Sequence, residues 1–110
     1  VLGFGGGGPS APNVQWDTSA DTSADSVTFK HGGGDDISNP SNILSVVDDG
    51  GNAAAGYTWN TGTDSQMSTS ETVVADFTST GGGVTAGDEY ELVWEPDSGD
   101  TSQVLATHTV

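Results

Sequence analysis

Gly87-Asp-Glu-Tyr-Glu-Leu-Val-Trp-Glu95 decides how this chain is read. Tyr90, Leu92 and Trp94 alternate with Glu89, Glu91 and Glu95, the period of two that marks a strand buried on one face. Only Val93 breaks the pattern. Pro96-Asp-Ser-Gly-Asp100 then gathers turn formers, with Pro restricting φ and Gly free to take positive φ, before a run rich in β-branched residues from Thr101 to Val110. The two segments read as a hairpin. A lone hairpin is marginal in water, so its aromatic face requires a second sheet built from the preceding residues.

Those residues contain further strands. Val14 and Trp16 alternate between Asn13 and Asp17, and Thr18 to Asp25 is small and acidic, with turn character. Val27, Phe29 and His31 alternate with Ser26, Thr28 and Lys30. The first two strands are expected to pair. Gly32 to Pro40 reads as a loop, with a short helical turn near Asn39 to Asn42. Ile43 to Val47 is a third strand, closed by the Asp48-Asp-Gly-Gly51 turn. Tyr57 to Trp59 reads as a short strand, Asn60 to Ser70 as a polar loop and Thr72 to Phe77 as a strand. Gly81 to Gly83 and Val84 to Ala86 then lead into the hairpin. About six to eight short strands with turns between them, and no sustained helical period, predict an all-β fold, an antiparallel β-sandwich of immunoglobulin-like kind. Trp16, Phe29, Leu92 and Trp94 are expected in its core.

A chain of 110 residues suits one domain. Residues 13–110 are assigned to the sandwich and residues 1–12 to what precedes it. Val1-Leu-Gly-Phe4 is apolar and runs into Gly5 to Gly8 and Pro9-Ser-Ala-Pro12, a flexible piece followed by a stiffer one, as in a linker. No apolar run reaches the roughly 20 residues of a membrane-crossing helix.

Charge narrows the function classes. Sixteen acidic residues against one basic residue leave a net charge of −15. Nucleic acid is excluded as a partner because phosphate binding needs a Lys/Arg footprint that Lys30 cannot supply alone. Disorder is disfavoured by three Trp, three Phe and several clean alternations. A folded domain adapted to high salt fits better, since at about 1 M salt the Debye length falls to about 3 Å and self-repulsion is screened. No cysteine is present, so disulfide and thiolate chemistry play no part.

Enzymatic readings find little support. The glycine runs lack the Lys-Ser/Thr of a phosphate loop, and His31 with Asp35, Asp36 and nearby serines lacks a nucleophile elbow. No catalytic residue and no cofactor is assigned. Asp35 and Asp36, and Asp48 and Asp49, are the candidate cation ligands, with Asp97 and Asp100 as a further pair. None lies in a calcium loop of the Asp-x-Asp-x-Asp-Gly type, and such acids are more often the wet face of an acidic protein. His31 and His108 alone do not make a zinc site. The Trp residues read as core before they read as a sugar-stacking platform. Every Asn lacks the x-Ser/Thr context of N-glycosylation, Asn39 being followed by Pro.

Lys30-His-Gly-Gly-Gly-Asp-Asp-Ile37, Asn42-Ile-Leu-Ser-Val46, Val84-Thr-Ala-Gly-Asp-Glu-Tyr-Glu-Leu-Val-Trp94 and Ser98-Gly-Asp-Thr-Ser-Gln-Val-Leu-Ala-Thr107 resemble the globular part of type IV pilins from halophilic archaea. Val1-Leu-Gly-Phe4 resembles the last turn of their hydrophobic N-terminal helix. The resemblance implies a structural subunit of an extracellular cell-surface filament. An upstream helix would pack in the filament core with copies of itself, and the β domain would face outward for adhesion to cells or abiotic surfaces. Neither the body of that helix nor its cleavage site lies within the sequence, so a fragment lacking its assembly helix is expected. Two alternatives stay open: a filament or stator subunit of the archaeal swimming organelle, of similar helix-plus-sandwich build, and a free secreted carbohydrate- or calcium-binding module.

Overall fold

A computed structural model describes residues 12–60, 66–78, 83–95 and 102–110. Among these, nine strands run in the order β1 (Val14–Asp21), β2 (Ser26–Gly34), β3 (Ile37–Ser38), β4 (Leu44–Asp48), β5 (Gly56–Asn60), β6 (Gln66–Met67), β7 (Thr72–Asp76), β8 (Glu89–Trp94) and β9 (Gln103–Thr109). One helical turn, α1 (Pro40–Ile43), precedes β4. All pairings are antiparallel. One sheet has the order β1-β2-β7-β5 and a second the order β4-β8-β9. With β3 and β6 set aside, this is the ABED over CFG arrangement of the constant-type immunoglobulin sandwich.

Alternation explains how the two sheets meet. Val27, Phe29, Val73 and Ala75 from the four-stranded sheet share one core with Leu44, Val46, Tyr90, Leu92 and Trp94 from the three-stranded one. Phe77, just past β7, meets Tyr90 across the sandwich with ring centroids 4.8 Å apart. The connections β2-to-β4 and β5-to-β7 pair as β3 and β6 and send Ile37 and Met67 into the same core. On one flank the Thr18 hydroxyl and His108 Nδ1 share a 2.8 Å hydrogen bond, linking β1 to β9 across the sheets. On the other, the free edge of β4 is blunted by the chain that follows it. Val46 N–H donates to the Tyr57 hydroxyl (2.9 Å), and the Val46 carbonyl accepts from Ala54 N–H (3.0 Å). An edge satisfied in this way offers few groups to a passing strand.

Several boundaries differ from those read in the sequence. β1 continues to Asp21, so the turn expected over Thr18 to Asp25 shrinks to its second half. Pairing with β2 extends the strand, since Thr18, Ser19, Ala20 and Asp21 each have a partner there. β2 runs through the glycines to Gly34, because the register shifts opposite Val14 and Trp16 and a bulge absorbs the extra residue. Gly33 and Gly34 take φ of 141° and 121°, and a Cβ on Gly34 would run into the Asn13 carbonyl oxygen. The helical turn falls at Pro40–Ile43, one residue later than expected, and shifts the start of the next strand to Leu44. Met67 lies inside the stretch read as a polar loop and is fully buried.

Of the four expected core residues, Phe29 and Leu92 are fully buried and Trp94 is 5% exposed, but Trp16 is only partly buried. The reason is position: β1 is the outer strand of its sheet, so one side of the indole has no neighbouring strand to cover it. Val93, the residue that broke the alternation, sits where the β8–β9 register shifts between Leu92 and Val93. The Pro96–Asp100 turn and the Val1–Phe4 and Gly5–Gly8 segments lie outside the described residues, as do Asp97 and Asp100.

Candidate functional site

A chain with a single Lys and no Arg cannot match its carboxylates with cations, and the donors they meet are chiefly backbone N–H groups, joined by a few hydroxyls and an amide. Among the described residues, seven carboxylates accept from backbone N–H groups. Asp21 accepts from Ser23 and Ala24, Asp25 from Val84, Asp35 from Asn13, Asp48 from Gly50 and Asn52, Glu71 from Ser68, Asp76 from Thr78, and Asp88 from Thr85. In Asp21, Asp48 and Asp76 the acceptor lies two residues before its donor, the Asx-turn spacing by which a short acid mimics a backbone turn. Thr78 and Thr85 add their hydroxyls to Asp76 and Asp88. Those hydroxyl bonds, then the backbone bonds from the same threonines, hold both carboxyls below the ordinary aspartate range.

The candidate cation ligands are divided by this use. Asp48 commits Oδ1 to the Gly50 and Asn52 N–H groups, and its Oδ2 accepts from the Asn52 side chain at 3.3 Å. Asp35 Oδ2 caps Asn13 N–H at 2.9 Å, fastening the start of β1 to the end of β2. Asp36 and Asp49 are exposed neighbours of these two. Among the described residues, no three His, Asp or Glu side chains converge as a metal would require.

His31 is fully buried, and both ring nitrogens face main chain. Nε2 donates to the Asp35 carbonyl oxygen at 2.6 Å, which leaves Nδ1 as the acceptor for Gly33 N–H at 3.3 Å. With one nitrogen donating and the other accepting, the imidazole has none left to take a proton from a nucleophile. The ring also lies 5.8 Å from that of Trp16, so it serves as the polar peg of the β1–β2 bulge.

Tyr90 is the second residue of β8, the strand equivalent to F of the immunoglobulin sandwich, and its hydroxyl reaches back to the Gly83 carbonyl at 3.1 Å. This is the tyrosine-corner relationship, a phenol fastening the chain just upstream of that strand. The same hydroxyl lies 3.2 Å from Asp88 Oδ2. Burial, followed by the negative field of Asp88, Asp48 and Asp49, pushes the phenol up to about 12. Sequence reading assigned Tyr90 to the core by its alternation but missed its hydroxyl and the capping roles of Asp25 and Asp88. The Asx spacing of Asp21, Asp48 and Asp76 was a readable signal. The Asp25–Val84 bond spans 59 residues and leaves no local trace.

Of the three Trp, Trp94 is buried, while Trp16 and Trp59 are partly buried at the two outer strands of the four-stranded sheet. They do not form one exposed platform. No described helix is long and apolar enough to cross a membrane. Comparison with protein-family models and with characterised proteins finds no match to this chain.

Proposed function

We propose that the chain is the outward β domain of an archaeal type IV pilus subunit, a structural protein of an extracellular filament used in adhesion. What supports the reading is the resemblance carried by Lys30–Ile37, Asn42–Val46 and Val84–Trp94, because within the described residues each stretch has a fold-building task. The first makes the glycine bulge and buries His31. The second makes the start of β4, and the third makes the tyrosine corner and the central strand β8. Sequence features that serve scaffold geometry rather than a reactive centre are what a filament subunit needs. Self-association would run through an upstream apolar helix, since side-by-side packing of domains with a net charge of −15 adds repulsion.

Immunogold electron microscopy of cells that produce the chain, using antibody raised against residues 13–110, tests this directly. Gold along the length of thin surface filaments is the expected result. Filaments that stay unlabelled while the antibody stains the envelope or the medium would overturn it. Label confined to swimming filaments would move the assignment to that organelle.

A further inference from the structure

Between α1, the start of β4 and β5 lies a groove of about 420 Å³. Its geometry is fixed from several sides. Asn39 takes φ of 50°, a left-handed conformation that asparagine tolerates better than most residues, and Pro40 follows at the head of α1 as a buried anchor. Asn42 N–H donates back to the Asn39 carbonyl at 3.0 Å, closing a turn that leaves Ser41 and Asn42 exposed on the rim. Glu95 N–H donates to the Ile43 carbonyl at 2.7 Å and draws the end of β8 alongside. Tyr57 forms the opposite wall. Its hydroxyl is held by Val46 N–H, and Trp59 packs beside it with ring centroids 5.6 Å apart and planes 34° from parallel.

The groove thus pairs an immobilised aromatic ring and Ile43 with a rim of groups that have no other task. Among the described residues, the side chains of Ser41, Asn42, Ser45 and Glu95 make no hydrogen bond within the chain. Two hydroxyls that donate and accept, an amide that does both and a carboxylate that accepts match the mixed hydroxyls of a polyol. Tyr57 and Ile43 add a small apolar part to the lining, enough to meet C–H groups of a pyranose at its edge. Among the described residues Glu95 is the one charged group of the lining, and the chain's net charge disfavours anionic ligands further. The volume lies toward the small end of ligand pockets, which run from roughly 300 to 1,000 Å³.

We propose that this groove binds an uncharged pyranose. The site stands whether or not the domain is carried on a filament, so its failure and the failure of the pilus reading are separate outcomes. A shallow site of this size should bind one sugar weakly, with Kd about millimolar.

Amide NMR titration of the 110-residue chain in about 1 M salt, with methyl glucoside, methyl mannoside and methyl galactoside as probes, reads the site directly. Saturable shifts for at least one probe, confined to Ser41 to Ser45, Tyr57 and Glu95, are expected. Asn42→Ala and Glu95→Gln should each weaken binding about tenfold while leaving the dispersed spectrum of the fold intact. Methyl glucuronide should bind more weakly than the neutral sugar. The proposal is overturned if no probe gives saturable shifts in the groove, or if both variants bind as the parent does. Equal binding of the glucuronide would overturn the assignment to an uncharged sugar.

Discussion

The Tyr90 hydroxyl lies 3.2 Å from Asp88 Oδ2, and the two share the corner that opens β8: Tyr90 also reaches the Gly83 carbonyl, and Asp88 also accepts from Thr85. One phenolic proton therefore serves two acceptors. Its removal would place a phenolate beside a carboxylate inside the sandwich.

This sets an alkaline limit on stability. The folded phenol titrates near 12 against an unfolded value of 10, so above pH 10 the unfolded chain loses the proton first. The stabilisation is complete below pH 10 and is lost as pH rises to about 12, amounting to about 2–3 kcal/mol at 1.36 kcal/mol per unit. Melting temperatures measured across that window should fall for the parent. Tyr90→Phe, at a fixed cost of about 1–2 kcal/mol for the unpaired Gly83 carbonyl, should fall less steeply. Equal slopes in the two proteins would place the titration elsewhere.

Core position separates the tryptophans. Trp94→Ala empties a buried site on the central strand β8 and should cost about 3–5 kcal/mol. Trp16→Ala, on an outer strand and partly buried, should cost less. Urea titration of both proteins decides the order, and a Trp16 penalty as large as that of Trp94 would contradict the role given to the outer strand.

The glycine bulge has a steric test. Gly34→Ala puts a Cβ against the Asn13 backbone at a φ that disfavours side chains, so a loss of more than about 1 kcal/mol is expected. Gly51→Ala, at φ 84° with open space around the added carbon, isolates the conformational part of that cost. The expected order is Gly34 above Gly51. A Gly34→Ala protein that melts with the parent would show that the β1–β2 bulge yields without penalty.

Salt should stabilise the fold. The carboxylates of Asp21, Asp25, Asp35, Asp48 and Asp76 are held by backbone N–H groups and not by cations, so the repulsion among them is relieved by screening rather than by ion pairs. Tryptophan fluorescence through thermal unfolding should give a rising midpoint from dilute buffer to about 1 M salt. A flat series would refute the salt-adapted reading.

Local pattern alone determined that Tyr90, Leu92 and Trp94 face inward, that Val27 and Phe29 do the same on β2, and that the chain is an antiparallel sandwich. Period-two alternation and turn chemistry are written within a few neighbouring residues. The Asp48-Asp-Gly-Gly51 turn was legible for the same reason, since its acceptor and donors lie within five positions. Tertiary structure decided what depended on distant partners. β1 reaches Asp21 because β2 pairs with it, Trp16 stays half-covered because no strand lies beyond β1, and Met67 is buried because Ile37 pairs with it. Asp25 caps Val84, and Thr18 joins His108 across 90 residues. The groove beside Tyr57 is likewise invisible in the sequence, because α1, β4, β5 and Glu95 become neighbours only when the free edge of β4 folds back against its own connection. Hydrogen bonds and packing act over a few ångströms of space, and only folding converts separations of tens of residues into that distance.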